Sequence, residues 1–566
     1  MSKNVNLNNV TTYTHGRLQL IVGLCEKIGL AKVFNDRLNS DQGRPRDIPS
    51  GIEAEIMIAG ICVEEGYRPL YAIKDYYRNK DLEGIFHYPI ELDQLNDDRF
   101  GTFLDRFYEA GCRQIFLEIS AKAFFEYGIK IKNINYDTTS KVMWGEYEQT
   151  DPSLDSGKVG QISIDFGHSK EKRGDKRQIK IGLGTTNGVV TDAKVLSGNM
   201  DDKTYNKNNL EDVDRLLYAM QVDRDKFYYI ADSSLFTEDN IIKANGHYIK
   251  FITRMPKNLK VAKSLLATPL PEDAQAVTFK NARNEEVKYW LTEDEVKYKG
   301  HECKVAVIYS QALEETKKKA CLKKVDKERK QIESKIKKYR KRRFKCEPDA
   351  EKEIDLLLSK HFVNLKYHNV EIEITKIIKR RPGKPSKNPE RDKKIIEYQL
   401  DIEVAPDEDR IQDYIRQQCT FILSSNDLEI SGEKMLREYK TQSDVERRFK
   451  VLKSPKYMNS LFLKTPKRVE ALVYLLLICL MMLTIAERVV RDKLKENNEV
   501  LYGTEMRELK RPTFYKILEI MDRIMTVTYI HSGRRVREIR TIDESCRKII
   551  EYLRLPESCF AWNDGG

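Results

Sequence analysis

Four residues near the C-terminal end of the chain have types and a spacing that could support phosphoryl chemistry: Tyr439, Gln442, Glu446 and Lys453. At about 100° per residue on an α-helix, they fall within an arc of roughly 60°. One edge of a helix would then present a phenol, an amide, a carboxylate and an ammonium to a single place. Such an arrangement can hold a metal ion and a phosphate. A surface helix with an incidental charged edge is the alternative interpretation.

Two aspartates upstream favour the chemical interpretation. Asp137 follows an alternating run at 131–136, and Asp232 ends a short apolar run at 227–231; both runs predict strands. An aspartate at a strand tip is held by the sheet yet points into an open crevice. Carboxylates that converge are costly unless cations neutralise them, and hard oxygen ligands suit Mg²⁺ or Mn²⁺. We therefore expect Asp137, Asp232 and Glu446 to lie within roughly 4–8 Å of one another and to bind two such ions.

The elements between these acids must bring them together. Asn187-Gly188 joins two alternating runs and predicts a hairpin, because both central positions of a type I′ turn need positive φ. Asn199 and Asp202, after the hairpin, are expected to be turn residues. The predicted order is strand, two-stranded hairpin, helix, strand, helix and strand, over residues 131–136, 178–197, 205–220, 227–231, 237–246 and 247–253.

This order resembles the RNase H-like fold, which carries acids on its first strand, its fourth strand and a late helix. The chain also resembles the DDE transposases of bacterial insertion sequences, in the branch with the signature Tyr, two residues, Arg, three residues, Glu, six residues, Lys. Tyr439, Glu446 and Lys453 match that signature, whereas Gln442 departs from it because a Gln supplies no charge. Supporting stretches are Leu95-Asn96-Asp97-Asp98-Arg99, Tyr136-Asp137-Thr138-Thr139, Gly167-His168-Ser169-Lys170, Ser197-Gly198-Asn199 and Ala231-Asp232-Ser233-Ser234-Leu235-Phe236.

The resemblance implies a DNA transposase that binds insertion-sequence ends, cleaves them and transfers the 3′ ends to target DNA by a two-metal mechanism. Asp137, Asp232 and Glu446 would hold the metals, and Tyr439 and Lys453 would position the phosphate or the flanking strand. The implied partner is double-stranded DNA, with a homodimer in the synaptic complex. Two other functions stay open: an inactive or domesticated DNA-binding protein, and a structure-specific nuclease.

The predicted fold class is α/β, with an RNase H-like catalytic core interrupted by a large β-plus-helical insertion. An insertion is required because the interval between Asp232 and Glu446 is far longer than one strand and a crossover need. Helical regions are expected at both termini. The predicted division is a helical DNA-end-binding region at 1–125, a first core segment at 126–256, the insertion at 257–415, a second core segment at 416–490, and a helical C-terminal region at 491–566.

Basic residues are concentrated in the predicted insertion. The formal net charge of the chain is +12, and residues 314–345 contain 16 Lys or Arg against 5 Asp or Glu. This segment therefore accounts for nearly all of the surplus, and it is the strongest candidate for contact with a phosphate backbone. A solvated helical arm is the alternative. The candidate DNA-binding residues of the segment 314–345 are Lys337, Lys338, Arg340, Arg342 and Arg343.

Other candidates for DNA contact are scattered along the chain. Trp290 resembles the aromatic residue with which related transposases hold a flipped base, and strand packing is the alternative. Arg380 and Arg381 begin a basic Pro/Gly loop that resembles a minor-groove hook, and a flexible linker is the alternative. The remaining candidates are His168, Lys170, Gln442 and Arg447.

Several classes of protein are disfavoured. The 10 cysteines include no Cys-x-x-Cys pair and the 8 histidines have no zinc spacing, so a structural zinc site is not expected. Free thiols suit a prokaryotic cytoplasm, and residues 1–6 lack the apolar core of a signal peptide. Residues 471–486 are almost wholly apolar but shorter than the roughly 20 residues of a membrane span. We predict a buried core helix there and expect no membrane contact.

Overall fold

The computed structural model describes residues 10–38, 47–63, 69–145, 147, 161–280, 285–380, 394–454, 457–458, 461, 463–531 and 534–563. The helices are α1 Gly16–Ile28, α2 Leu30–Leu38, α3 Ser50–Val63, α4 Ile73–Tyr77, α5 Leu82–Phe86, α6 Asp97–Glu109, α7 Cys112–Glu126, α8 Asp202–Ala219, α9 Glu238–Gly246, α10 Lys260–Ala267, α11 Glu314–Tyr339, α12 Glu347–Lys360, α13 Glu408–Cys419, α14 Gly432–Lys440, α15 Ser443–Leu452, α16 Pro466–Glu496, α17 Phe514–Met521 and α18 Glu544–Tyr552.

The strands are β1 Thr11–Tyr13, β2 Asn133–Val142, β3 Gln178–Thr186, β4 Val189–Ser197, β5 Tyr228–Ala231, β6 Phe251–Arg254, β7 Gln275–Lys280, β8 Glu286–Tyr298, β9 His301–Ser310, β10 His368–Arg380, β11 Lys394–Pro406, β12 Thr420–Ser425, β13 Leu501–Tyr502, β14 Glu508–Leu509, β15 Met525–His531, β16 Arg534–Thr541 and β17 Trp562–Asn563. The chain divides into two compact units, one of residues 1–253, 425–427 and 436–566, the other of residues 254–424 and 428–435.

The sheet strands of the first unit run in the order β4-β3-β2-β5-β6. The pairs β4–β3 and β3–β2 are antiparallel, whereas β2–β5 and β5–β6 are parallel. The predicted order of elements is confirmed, and so is the hairpin turn, since Asn187 and Gly188 have φ of 51° and 78°. Tyr136 pairs with Ala231, so the next residues, Asp137 and Asp232, lie at the same edge of two neighbouring parallel strands.

Helix α16 forms the centre of the first unit's core. Every residue from Ala471 to Ala486 is buried, and α16 packs against α3, α6, α7 and β4. Among the described residues it is the one helix long and apolar enough to cross a membrane, yet 94% of its apolar window is buried inside the protein. The prediction of a buried core helix at 471–486 is confirmed.

The prediction of a helical C-terminal region at 491–566 is wrong, because strands occur there beside the helices. The described residues after 491 form α17 and α18 but also five strands, and β15 and β16 belong to a sheet with the order β1-β15-β16-β17. The run Met525–His531 alternates, with Thr526 and Thr528 buried, which is the pattern of a half-buried strand. The N-terminal region is helical as predicted, apart from the short strand β1.

One long helix was expected to carry Tyr439, Gln442, Glu446 and Lys453, but the structure has two. Helix α14 ends at Lys440 and α15 begins at Ser443. Between them the main-chain N–H groups of Thr441 and Gln442 donate to the carbonyl oxygens three residues earlier, at 3.1 and 3.0 Å. These tighter turns interrupt the α-helical pattern, so the chain changes direction before Glu446.

The second unit combines strands with a long basic helix. Its sheet strands run β12-β9-β8-β7, and β10 and β11 form a separate antiparallel hairpin. Helix α11 buries Ile332 and Ile336 with the β11 residues Leu400 and Ile402, and buries Cys321 and Val325 beside α13. The basic helix is therefore amphipathic and packed along one side, rather than a wholly solvated arm.

Candidate active site

Asp137 and Asp232 face one edge of the first unit's sheet. Asp137 lies within β2, and its side chain is 23% exposed. Asp232 directly follows β5, and its Oδ1 accepts hydrogen bonds from the Ser234 N–H at 3.0 Å and from Ser234 Oγ at 2.5 Å. Two buried tyrosines behind them, Tyr136 and Tyr229, stack with ring centroids 4.6 Å apart. The sheet register and this packing fix the main chain that carries both acids.

The Asp137 carboxyl is electrostatically unusual. Burial raises its pKa above the ordinary value, and the neighbouring Asp232 carboxylate raises it further. The Lys170 ammonium and the Thr138 N–H oppose this rise, because both stabilise the ionised form. A second positive charge at this edge would bring the pKa of Asp137 back down and would favour its ionised form.

Lys170 supplies the cation that contacts Asp137 at this edge. Its Nζ lies 3.1 Å from Asp137 Oδ1 and 3.6 Å from Asp202 Oδ2, and it donates to the Thr138 carbonyl oxygen at 2.6 Å. Burial lowers the pKa of Lys170, but Asp137 and Asp202 outweigh that effect and the net pKa is raised. Its ammonium, predicted to contact DNA, therefore lies among the acids.

Asp202 belongs to the same cluster, although the sequence suggested only a turn residue. Its Oδ1 accepts from Thr138 Oγ1 at 2.6 Å and lies 3.3 Å from Lys180 Nζ. The Lys180 side chain is only 3% exposed and lies on β3, whose residues are all buried. A lysine in such a strand requires a carboxylate partner, and that requirement is the sequence signal that could have found Asp202.

A polar network behind the acids positions Asp232. Asn206 donates to Ser234 Oγ at 2.8 Å and to the Asp202 carbonyl oxygen at 2.9 Å, and it accepts from the Tyr229 hydroxyl at 2.8 Å. Ser234 in turn donates to Asp232. Helix α8 is thereby tied to the end of β5, which restricts the rotation of the Asp232 carboxylate.

The junction between α14 and α15 is fastened to β2 by side-chain bonds. Asn135 donates to Thr441 Oγ1 at 2.8 Å, and Gln442 Nε2 donates to the Tyr136 carbonyl oxygen at 3.0 Å. Asn133 also donates to Glu438. Gln442 is only 8% exposed, so its amide holds the main chain beside Asp137 and is not displayed on the surface.

Glu446, Tyr439 and Lys453 occupy different places around this junction. Glu446 is exposed on α15, which packs against β2 and β3, and it has no ion pair or hydrogen bond with any described group. Tyr439 is half-buried on α14. Lys453, at the end of α15, lies 3.4 Å from Glu171 Oε1, next to Lys170 in sequence. Nowhere in the described ranges do three or more His, Cys, Asp or Glu side chains form a group that could hold a metal ion.

The two remaining candidates for DNA contact near the first unit's sheet, His168 and Arg447, each contact another group of the protein. His168 is exposed, and its carbonyl oxygen accepts from Gln178 Nε2 at 3.3 Å. Arg447 lies 3.5 Å from Asp444 on its own helix.

In the second unit, Trp290 is half-buried and pairs across the strands with Tyr309, with ring centroids 6.0 Å apart. Lys337, Lys338 and Arg343 are exposed. Arg340 donates to the Ile402 carbonyl oxygen at 2.5 Å, and Arg342 lies 2.8 Å from Glu353. The basic helix and the turn after it therefore combine cations that bond distant protein groups with cations that are exposed. The Arg380 side chain and all of Arg381 lie outside the described residues.

Comparison with protein families decides the identity of the chain. Residues 155–482, more than half of its length, match the family model described as a transposase DDE domain. The chain belongs to the transposase DDE domain family. The region that matches this transposase family includes Asp232, Glu446 and Lys453 and begins after Asp137. Residues 10–121 match a second model, described as a domain of unknown function (DUF4277).

Comparison with individual proteins adds distant similarities to this transposase-family chain. The piggyBac transposase synaptic complex with hairpin DNA gives a TM-score of 0.36 at 10% sequence identity, covering 89% of this chain and 79% of that chain. The Mos1 transposase paired-end complex with left transposon end gives a TM-score of 0.14 at 10% identity, covering 37% of this chain and 59% of that chain. None of the curated proteins matches the chain.

Proposed function

We propose that this transposase-family protein is an insertion-sequence DNA transposase that cleaves element ends and joins their 3′ ends to target DNA. The observation that carries the proposal is the pair Asp137 and Asp232, which lie at one edge of two parallel strands with a cation in contact. Paired acids at such an edge suit phosphodiester chemistry, and the chain's family supplies the DNA substrate class. Within this proposal, β2–β6 with α14–α16 form an RNase H-like core, and residues 257–415 are its insertion.

The donor set suits a hard divalent cation. Asp137 and Asp232 offer carboxylate oxygens, and the Lys170 ammonium already neutralises some of their charge. Asp137, Asp232 and Glu446 would hold Mg²⁺ or Mn²⁺, two ions when fully loaded. The bound ions would activate the attacking oxygen and stabilise the leaving oxygen of the phosphodiester.

The chain's own residues would then share the work of positioning. Lys170 would release Asp137 when the site is loaded, and its ammonium would become available to a phosphate. Lys453 and Tyr439 would orient the scissile phosphate or the flanking strand from the ends of α15 and α14. Glu446 would approach the two aspartates from its exposed position on α15, which is held close to β2 by Asn135 and Gln442.

The proposed partner is double-stranded DNA, bound by a homodimer in the synaptic complex in a prokaryotic cytoplasm. In the second unit, the exposed residues Lys337, Lys338 and Arg343 would contact the phosphate backbone. Trp290 would remain available for an aromatic contact with a base, and His168 and Arg447 would act near the cleaved end.

Three variants test the proposal: Asp137→Asn, Asp232→Asn and Glu446→Gln. Each should abolish Mg²⁺-dependent nicking of a duplex that carries the element's terminal repeat, by about 10³-fold or more, while binding to that duplex stays within about threefold. The exposed Asp273→Asn is the matched control and should cleave normally.

The same assays, together with an assay of strand transfer to target DNA, separate the other two functions. A protein that binds the ends but shows no metal-dependent cleavage would be an inactive or domesticated DNA-binding protein. Cleavage without preference for the terminal repeat and without strand transfer would indicate a structure-specific nuclease. Full activity in Glu446→Gln would overturn the assignment of the third acid.

A further inference from the structure

A cavity of about 1090 Å³ lies beside the helix that carries Glu446, within the first unit. Its walls come from α15, the turn between β3 and β4, the C-terminal half of α16, residues 498–515, and Lys548 of α18. Neither the paired aspartates nor the basic helix of the second unit contributes to it. The cavity is therefore a feature separate from the acids of the candidate active site.

The lining is unusually rich in cations. The basic lining residues are Arg447, Arg448, Arg488, Arg491, Lys495, Lys510, Arg511 and Lys548. The acidic ones are Asp444, Glu487, Asp492, Glu499 and Glu508. The described lining thus has eight positive and five negative side chains, a surplus of three positive charges. An anion that enters the cavity would be attracted by this surplus.

At the back of the cavity, two guanidinium groups share one carboxylate oxygen. Arg448 and Arg491 lie 2.9 and 2.8 Å from Glu487 Oε1, and Glu487 Oε2 accepts the Phe514 N–H at 3.1 Å. The Glu487 side chain is 5% exposed. One buried carboxylate cannot neutralise two guanidinium groups, so this region of the wall keeps a net positive charge.

The crowding of cations also appears in the titration of Arg491. Burial lowers its pKa, Glu487 opposes that effect, and the positive charges of Arg448, Arg511 and Arg447 lower the pKa further. A bound anion would relieve this repulsion.

At the rim, three cations have no carboxylate to neutralise them. Lys495, Lys510 and Arg511 are exposed, and none of them pairs with an acid in the portion of the chain that the structure describes. Exposed cations of this kind are free to bind an incoming anion without first breaking an internal ion pair.

The chemistry of the lining selects the class of ligand. Pockets for small molecules are mostly apolar and usually measure about 300–1,000 Å³; this cavity lies at the upper end of that range, but it is lined mainly by charged groups. Guanidinium forks match the oxygens of phosphate, and lysines add point charges. A polymer with regularly spaced phosphates fits such a surface better than a single metabolite does.

We propose that this cavity binds the phosphate backbone of DNA next to the bond that is cleaved at the candidate active site, an inference that rests on the proposed transposase function. Helix α15 joins the two places, because Glu446 and the lining residues Arg447 and Arg448 follow one another on it. DNA held in the cavity would be fixed relative to the third acid. The cavity thereby becomes a positioning site for the flanking duplex.

The test is the triple variant Lys495→Gln/Lys510→Gln/Arg511→Gln in the full chain. Its matched control is Lys260→Gln/Lys263→Gln/Lys352→Gln, which removes three exposed cations that have no carboxylate partner among the described residues. Binding of an end-containing duplex is measured at several salt concentrations without added metal, so the readout does not depend on cleavage.

The cavity variant should weaken DNA binding by about tenfold or more. The slope of log K against log[salt] should fall by about 0.9 for each phosphate that is no longer neutralised, or about 2.7 in total. The control variant should change neither value appreciably. Unchanged affinity and slope in the cavity variant, with normal binding by the wild-type chain, would overturn the cavity inference alone. Failure of the wild-type chain to bind DNA would overturn the proposed function as well.

Chemical acetylation of the unmodified protein gives a second measurement. Bound duplex DNA should protect Lys495, Lys510 and Lys548 from acetylation, whereas Lys260 should react equally with and without DNA. Inorganic phosphate at the same phosphate concentration should give little protection, because a single anion cannot engage several cations at once as a backbone does. Equal reactivity of the three lysines with and without DNA would contradict the proposal.

Discussion

The ammonium of Lys170 and a divalent cation would compete for the same oxygen of Asp137. Lys170 Nζ lies 3.1 Å from that oxygen and is held in place by the Thr138 carbonyl at 2.6 Å. The lysine neutralises the acids in the absence of metal and so reduces the penalty of holding Asp137 close to Asp232. Metal affinity should therefore be limited by the displacement of this single side chain.

We expect Lys170→Ala to bind Mn²⁺ more tightly in the absence of DNA. A partly exposed ion pair contributes up to about 1 kcal/mol, which corresponds to about a two- to fivefold lower Kd. Mn²⁺ electron paramagnetic resonance titration at pH 8 measures this directly. Lys203→Ala is the control, because Lys203 is an exposed lysine beside Asp202 whose removal deletes the same charge. Weaker Mn²⁺ binding in Lys170→Ala would indicate that the lysine supports the metal rather than competing with it.

At the scale of residues, the sequence predicted the placement of acids that is set by their position along a strand. It did not predict contacts that are set by the direction of a side chain. Asp137 and Asp232 were predictable because each closes a recognisable strand-like run in the sequence, and the parallel pairing of β2 with β5 then aligns the two. Asp202 was assigned to a turn because its partners, Thr138 and Lys180, come from other strands. Gln442 was expected in the crevice because helical spacing puts it on the same face of a helix as Glu446. That spacing cannot reveal the break at 441–442, which turns the Gln442 amide toward Tyr136.

The junction of α14 and α15 is the element on which the position of Glu446 depends. Asn135 is fully buried on β2 and bonds Thr441, and Gln442 bonds the main chain beside Asp137. Polar side chains inside a strand and at a helix break are costly unless they are paired, so these bonds specify one docking of α15.

We expect Asn135→Ala to lower the free energy of unfolding by about 1–3 kcal/mol, because Thr441 and the junction lose a buried partner. Cleavage should fall more than DNA binding does, since the variant disturbs the placement of Glu446. Urea denaturation measures the free energy of unfolding. Single-turnover cleavage and a binding titration measure how much cleavage and DNA binding each fall. The exposed Asn208→Ala should leave all three unchanged. Equal losses of binding and cleavage would mean that the junction supports the fold in general rather than Glu446.

At the scale of elements, strong periodicity was informative and short alternations were not. The hairpin at Asn187-Gly188 and the apolar run of α16 were predicted because each has one dominant pattern. The strands β15 and β16 were missed because their residues alternate only over short lengths and include several arginines. The buried Arg537 is accommodated there by groups far away in sequence, Asp81 and the Gly84 carbonyl oxygen, which pair with it inside the protein.

The stability of the whole molecule should depend on pH through a buried acid that is not part of the candidate active site. Glu55, on α3, is 5% exposed, and burial, with a smaller effect from Glu26, raises its pKa to about 8. Between pH 4.5 and pH 8 the folded chain keeps a proton on Glu55 that the unfolded chain has lost. Its contribution to stability is thus fully present below pH 4.5 and is lost as the pH rises toward 8.

We expect the free energy of unfolding of Glu55→Gln to gain on that of the wild-type chain as the pH rises, because Gln cannot ionise. The difference between the two proteins should be about 2–4 kcal/mol more favourable to the variant at pH 8.5 than at pH 5. Urea denaturation at the two pH values measures this. The control is Glu109→Gln, at an exposed position. Its free energy of unfolding should differ from that of the wild-type chain by the same amount at pH 5 and at pH 8.5. A Glu55→Gln effect that does not vary between pH 5 and pH 8.5 would mean that Glu55 is ionised in the folded state.

The central position of α16 has a consequence for how the chain is made. Cys479 donates to the Ile58 carbonyl oxygen, and Arg468 lies 2.6 Å from Asp105, so α16 completes a core whose other helices are synthesised several hundred residues earlier. On the ribosome, α3, α6 and α7 must wait with their apolar faces uncovered while the entire second unit emerges. That unit draws its own contacts from residues 254–424 and 428–435 and can fold during the delay. Translation speed ahead of residue 466 should therefore govern how much of the protein reaches its native state, and the early helices should engage chaperones until α16 arrives.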